Sequence, residues 1–324
     1  MRRAAELAVK EINAHGARRL ELRVMDDSGR PEVAIRVARE LAEDPAVVAV
    51  IGHLTSGTSL AAGRVYGADR RPVAMISPSA SSPDLSGVSP YVFRVCPTDL
   101  SHGAQLARYA RQTLGARRAG VIYIDDDYGR GLRLSFAAEF RRMGGVVVEE
   151  DPSLAATASL EPYLARMRQA GGVDVLMLAT ERSGAELALR ELGRLGFTWP
   201  VIGGDALTGI EAEGVRVSSA YLSDRPGERN AVFVAAYARA YQGQRPDHRG
   251  AGAYDIVYLL ARAFAEAGTG RRAVRDYLAR IGTDLPAYEG VTGTIAFDAR
   301  GDVPAKPVVI GAVRDGRLVT EATR

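Results

Sequence analysis

Between the β-branched run Val47–Ile51 and an Ala-rich stretch lies a loop dense in small hydroxyls, Thr55, Ser56, Thr58 and Ser59 around Gly57, entered through Gly52, His53 and Leu54. A short apolar run bounded by glycine reads as a buried parallel strand, and Ser or Thr ahead of the next apolar run reads as a helix N-cap. Backbone N–H groups and hydroxyls then gather at the positive end of a helix dipole, which is an anion site. The segment lacks the Lys of a phosphate-binding P-loop and the three-glycine spacing of a dinucleotide fold, so the anion it suits is small, such as a carboxylate. Ser56 with His53 as its base would be a nucleophile in a hydrolase. No G-x-S-x-G elbow surrounds Ser56, however, and a His three residues earlier on the same loop makes poor triad geometry. The hydroxyl reads as a ligand, and His53 as a packed loop residue.

The elements that must carry this loop alternate from the start of the chain. An amphipathic helix enters at Met1 with Leu7, Ile12 and alanines as its buried stripe and Gly16 as its C-cap. Strand Leu20–Met25, helix Pro31–Glu43, strand Val47–Ile51, a helix to about Tyr66, strand Val73–Ile76, the polar loop Ser77–Ser82 and strand Tyr91–Val95 are expected next. After Pro97 come helix Leu100–Leu114, strand Gly120–Ile124, helix Gly131–Met143 and strand Val146–Glu150. Helix Leu160–Ala170, strand Val173–Leu178, helix Ala185–Leu195 and strand Val201–Gly203 complete this series. Beyond Gly214–Ser219 the pattern changes to helices Asn230–Tyr241, Gly252–Ala267 and Arg271–Ile281. A β segment Val291–Phe297 and a last strand Val308–Val313 close the chain. Strand–helix alternation of this kind means α/β lobes with parallel sheets covered by helices on both faces.

Ligands of open α/β sheets bind outside the carboxyl ends of the strands. The loops at those ends are His53–Ser59, Ser77–Ser82, Asp125–Tyr128, Ala179–Ser183 and Gly204–Leu207. The first two are hydroxyl-rich and carry no carboxylate. The other three carry Asp125, Asp126, Asp127, Glu181 and Asp205 together with Tyr128. One lobe would thus offer an anion site and the other acidic and aromatic groups, a match for the two ends of a zwitterion. The Asp125–Asp127 run could be a metal or phosphoacceptor cluster, but adjacent acidic residues at a helix start more simply cap it. Arg249, placed just ahead of a helix start, reads as solvated or as approaching the cleft.

The 324 residues suit two domains. A net charge of only +3 without a basic run argues against nucleic acid as a partner. The single Cys96 excludes an internal disulfide, and four scattered His offer no metal-ligand spacing. No run is long and apolar enough to span a bilayer, and no signal-peptide pattern opens this chain. No catalytic residue, cofactor or metal is expected.

Eight segments, in order, resemble the extracytoplasmic solute-binding proteins of branched-chain amino acid (Leu/Ile/Val-type) ABC transporters. They are AAELAVKEINAHG (4–16), DDSGRPEVAIRVARELA (26–42), VIGHLTSGTS (50–59), MISPSASSPDLS (75–86), YVFRVCPTD (91–99), IDDDYGRGL (124–132), AYDIVYLLARA (253–263) and GVTGTIAFDARGD (290–302). The resemblance implies the type I periplasmic-binding fold, two Rossmann-like lobes joined by a three-strand hinge. Lobe 1 would be 1–98 plus 221–304 and lobe 2 99–220 plus 305–324. It implies a non-enzymatic receptor outside the cytoplasm, in the periplasm or as a surface lipoprotein. Such a receptor is monomeric, closes on an amino acid or related small ligand, and delivers it to a membrane permease. A sensor domain of the same fold that signals to a regulator is the alternative. Leu54, Thr55, Ser56, Ser79, Ala80 and Ser81 then match the family's carboxylate site. Tyr128 matches the aromatic over the ligand, and Asp205 the acid that takes the α-ammonium.

Three departures follow. Glu181 stands where branched-chain binders carry an aromatic, and Arg249 falls near the side-chain pocket. Both would lie unpaired beside an aliphatic side chain, which favours a polar amino acid or an amide or urea-like molecule over leucine. The third is at the N-terminus, where the family has a strand and a ligand-facing loop before the first helix. This chain starts inside that helix, so lobe 1 is expected without its central strand. The two interior strands beside the gap would be left with unpaired backbone groups, at roughly 1–3 kcal/mol each.

Overall fold

The computed structural model describes residues 1–15, 19–68, 70–154 and 157–321, and the expected cap Gly16 lies outside them. The chain forms two compact units, Met1–Thr98 with Arg225–Lys306 and Asp99–Asp224 with Pro307–Arg324. Its path runs from unit 1 to unit 2, back, and again to unit 2.

Unit 1 opens with α1 (Arg2–His15), α2 (Pro31–Glu43), β1 (Ala49–Ile51), α3 (Ser56–Ala68), β2 (Ala74–Ser77), a 3-10 turn at Pro83–Leu85 and β3 (Val92–Arg94). The three strands form one parallel sheet in the order β1-β2-β3, with Val50 opposite Met75 and Ile76 opposite Phe93. Period-two alternation sends Met75 and Val92 toward α2 and α3, where Val37, Leu41, Leu60 and Tyr66 are buried. Ala74, Ile76 and Phe93 face the opposite side.

The chain then builds unit 2 from α4 (Asp99–Arg108), which continues as a π-helical turn Tyr109–Thr113, followed by β4 (Arg118–Ile124), α5 (Asp127–Arg142) and β5 (Val146–Ser153). Next come α6 (Glu161–Gln169), β6 (Val175–Ala179), α7 (Arg182–Leu195), β7 (Val201–Gly203), a 3-10 turn Asp205–Leu207 and β8 (Arg216–Ser219). Unit 1 is completed by α8 (Glu228–Ala240), α9 (His248–Ala267), α10 (Arg271–Arg280) and the hairpin β9 (Tyr288–Gly290) and β10 (Gly293–Ile295). The side chains of Ile256, Leu259, Val274 and Leu278 on α9 and α10 cover the second face of the unit 1 sheet. Finally β11 (Val309–Arg314) and β12 (Arg317–Thr320) return to unit 2.

The unit 2 sheet has seven strands in the order β12-β11-β8-β7-β6-β4-β5. The five from β8 to β5 are mutually parallel, as the alternation predicts. β11 runs antiparallel to β8, and β12, which the sequence reading did not contain, closes a hairpin on β11. The antiparallel edge is an addition to a sheet that is otherwise parallel as expected: a two-residue turn at Asp315–Gly316, both with positive φ, supports a hairpin and not a crossover. Helices pack on both faces, with Leu106, Leu132 and Phe136 on one side and Leu164, Met167 and Leu192 on the other.

One expected strand does not form. Leu20–Met25 pairs with no other segment, and β1, shorter than the expected Val47–Ile51, is the edge of its sheet. Leu20 and Leu22 nevertheless pack in the cluster of α1 and α9 that also holds Ile51, and Met25 packs with α2 and α3. Val24 is left exposed between Leu22 and Met25, so the burial does not keep a strand's alternation, and no hydrogen-bonded ladder partner is present among the described residues.

Candidate functional site

Two loops of unit 1 are fastened into one platform. His53 brings its carbonyl under both, accepting from Ser59 Oγ at 3.1 Å and from Ser77 Oγ at 2.7 Å. Ser79 Oγ donates to the Leu54 carbonyl at 2.7 Å, and Ser56 Oγ accepts from the Ser82 N–H at 3.2 Å. Thr55 is the hinge of the helix start: its hydroxyl lies 2.8 Å from that of Thr58 and accepts from the Thr58 N–H. The N–H groups of Ser56 and Gly57 are in the first turn, where no earlier helical carbonyl exists to receive them. Ala80 and Ser81 are almost wholly buried, and Ser81 Oγ has no hydrogen-bond partner among the described residues. The platform therefore combines helix-start donors with a buried unsatisfied hydroxyl, as an anion site requires.

His53 does not serve Ser56. Its Nδ1 donates to Asp27 Oδ2 at 2.6 Å, and its Nε2 lies 3.3 Å from the Tyr66 hydroxyl. That hydrogen bond holds the Asp27 carboxyl below its ordinary range. With both ring nitrogens engaged, the arrangement braces a loop and offers no base to a nucleophile.

Beneath the second loop lies a buried charge pair with no local signature in the sequence. Arg94, only 1% exposed, donates through Nη1 to the carbonyls of Ala80 and Ser82, through Nε to Asp302 at 2.6 Å, and to the Ser86 hydroxyl. A strand Arg flanked by apolar residues, with an Asp far along the chain, gives no local signal. A second buried assembly in unit 1 links Asp255 to the N–H groups of Val291 and Thr292 and to the Thr292 hydroxyl, which in turn accepts from Lys306 Nζ at 2.6 Å. Burial pushes the Lys306 amine down to about 8 and the Asp255 carboxyl up. Beside it, a hollow of about 320 Å³ is lined by Tyr254, Tyr258, Tyr288 and Glu228, with none of the sequence-predicted site residues.

In unit 2 the Asp run behaves as a cap. Asp126 accepts from the Gly129 N–H at 2.8 Å as the N-cap of α5, while Asp125 and Asp127 pair with Arg130. No group of three metal-ligating side chains exists among the described residues. The cap places Tyr128 in the first turn of α5, buried against Gly204, where its hydroxyl accepts from the Ala206 N–H at 3.4 Å. Asp205, 3% exposed, starts the 3-10 turn after β7. Tyr128 and Asp205 are thus brought to one strand end. Glu181 is also at a strand end of unit 2 but is exposed at the N-cap of α7. Arg249 belongs to unit 1, inside the first turn of α9 and not ahead of it, 3.9 Å from Asp247.

Comparison with known proteins decides the class. The sequence profile of the periplasmic binding protein family matches residues 1–317. The chain belongs to that family. An ABC transporter substrate-binding protein from Desulfitobacterium hafniense, in complex with Leu, is 32% identical with a TM-score of 0.85, over 99% of this chain and 95% of that one. The branched-chain amino acid transporter substrate binding protein LivJ from Streptococcus pneumoniae, in complex with isoleucine, is 25% identical with a TM-score of 0.86, over 98% and 91%. Leu/Ile/Val-binding protein homolog 3 of Brucella melitensis is 24% identical over 326 residues, 98% of this chain and 88% of that protein. As a member of this family the chain is an extracytoplasmic solute-binding receptor of ABC transport, not an enzyme. No helix among the described residues is long and apolar enough to cross a membrane.

Proposed function

We propose that this periplasmic binding protein captures an α-amino acid, the unit 1 platform taking its carboxylate and Asp205 with Tyr128 taking its ammonium. The observation that carries the reading is the chemical opposition of the two half-sites. One unit offers helix-start donors and the buried Ser81 hydroxyl, the other a buried carboxylate beside an aromatic. Charge-assisted bonds at both ends of a zwitterion are each worth about twice a neutral one. The solved relatives that hold Leu and isoleucine support the amino acid class.

A polar or amide side chain that can hydrogen-bond with Glu181 or Arg249 is preferred over an aliphatic one, which offers them no partner. The receptor works as a monomer, passes its ligand to a membrane permease, and operates in the periplasm or as a surface lipoprotein. Calorimetric titration with a broad amino acid panel tests the reading. Asp205→Ala is expected to lose most of the affinity by leaving the ammonium unpaired, and unchanged affinity removes Asp205 from the site. Leucine, isoleucine or valine as the tightest ligand would overturn the polar preference while leaving the amino acid class intact.

A further inference from the structure

The ammonium half-site has a buried titratable neighbour that neither the sequence reading nor the reading above uses. His102, on the first turn of α4, is wholly buried. Its Nδ1 lies 2.9 Å from the Ser218 hydroxyl on β8, which fixes the plane of the ring. Its Nε2 is buried and has no hydrogen-bond partner among the described residues. An imidazole held on one side and unsatisfied on the other costs free energy that an apolar residue would not. The strand register explains where it sits: Gly203 on β7 is opposite Val217, so Ser218 is level with the backbone that leads into Asp205.

We propose that His102 is a positioning residue of the ammonium half-site, its neutral ring supporting Asp205 from within unit 2 and its protonation lowering affinity for a cationic amine. The inference rests on the assignment of Asp205 to the ligand ammonium. Asp205 is the carboxylate whose field reaches the ring, and it favours the imidazolium; burial opposes this and prevails, holding the ring's pKa below its ordinary value. Asp99 stands one turn earlier on the same helix and is also buried. From β8, Arg216 shares the strand face of Ser218 and is paired with Glu321. From α5, the groups next to Gly103 are Ser135 and the Phe136 backbone, neither titratable, and Tyr128 lies toward Gly204.

With its pKa below the ordinary value the ring is uncharged at neutral pH, and no cation on His102 competes with an amine. As the pH falls through the lowered pKa, a positive charge arises beside Asp205 and competes with the ligand for it. A ligand without an amine has nothing to lose by this.

The test uses the full chain and L-leucine, L-isoleucine, L-valine, L-glutamine and L-asparagine as calorimetric probes. The wild-type affinity for the tightest of them is expected to fall roughly fivefold or more between neutral pH and a pH below the imidazole titration of His102, which the NMR measurement below locates. In His102→Gln, which keeps a polar partner for Ser218 but cannot become a cation, that ratio is expected to drop to near one. Equal pH ratios in the two proteins overturn the proposal. Heteronuclear NMR titration of the imidazole supplies a second, ligand-free readout, with the resonance assigned by its absence in His102→Gln. Asp205→Asn is expected to move the titration of His102 to lower pH, and an unmoved titration overturns the coupling. If none of the probes binds, the amino acid reading fails, and the NMR titration still decides whether His102 and Asp205 are coupled.

Discussion

Arg94 shows how a buried charge can specify a loop. Its guanidinium holds two carbonyls of the Ala80–Ser82 turn and the Asp302 carboxylate while being sealed from solvent. Such a cation is costly to bury and is retained where its hydrogen bonds are all used. Arg94→Met leaves Asp302 as an uncompensated buried anion, and we expect a loss of about 3–5 kcal/mol in chemical denaturation. Combining it with Asp302→Leu should recover part of that loss. Full additivity of the two changes would show that the pair is not coupled. The residue scale is also where the sequence was most and least legible. Ser56, Ser79 and Ser81 were readable because hydroxyls after a buried strand have few other uses, and the structure brings them to one platform. Tyr128 and Asp205 were readable as strand-end residues, and the Tyr128 hydroxyl reaches the N–H of Ala206, next to Asp205. His102 and Arg94 were not, because each acts through a partner more than a hundred residues away, Ser218 and Asp302.

Among the elements, β1 is the one whose surroundings differ from its sequence character. Its residues are apolar and two of the three are only half-buried, on a sheet edge hydrogen-bonded to β2 alone. Leu20–Met25 is apolar enough to pack Leu20, Leu22 and Met25 yet leaves Val24 exposed and forms no ladder among the described residues, because an apolar run can be read from sequence while a backbone partner cannot. Hydrogen exchange should separate these levels. Amides of Ala49–Ile51 and of Leu20–Met25 are expected to exchange at least tenfold faster than those of Met75–Ser77 in the sheet's middle strand, as a rough bound from local opening. Equal protection across the three would mean that the edge is closed in solution. In unit 2 the antiparallel β12 escaped the sequence reading because four residues around Arg317–Thr320 carry too weak an alternation to be told from a tail.

For the molecule as a whole, hinge closure around a ligand is the common response of two-domain receptors, and it is the response we expect of this one. Small-angle scattering should record a fall in the radius of gyration when a binding amino acid is added, and no fall when Asp205→Ala is mixed with the same ligand. A constant radius in the wild type at saturation would remove closure from the mechanism.

The path of the chain through its two units also sets the order in which the protein can be made. The unit 1 core joins Ile76 and Phe93 to Ile256, Leu278 and Phe297, and the Arg94 pair waits for Asp302. The unit 2 sheet waits for β11, beginning at Val309, to cover β8. On a ribosome the unit 1 core cannot close before Phe297 has been synthesised, nor the unit 2 sheet before Val309. A nascent chain stopped before Asp302 should therefore be proteolysed in both units, and each unit begins to be synthesised long before the residues that complete it.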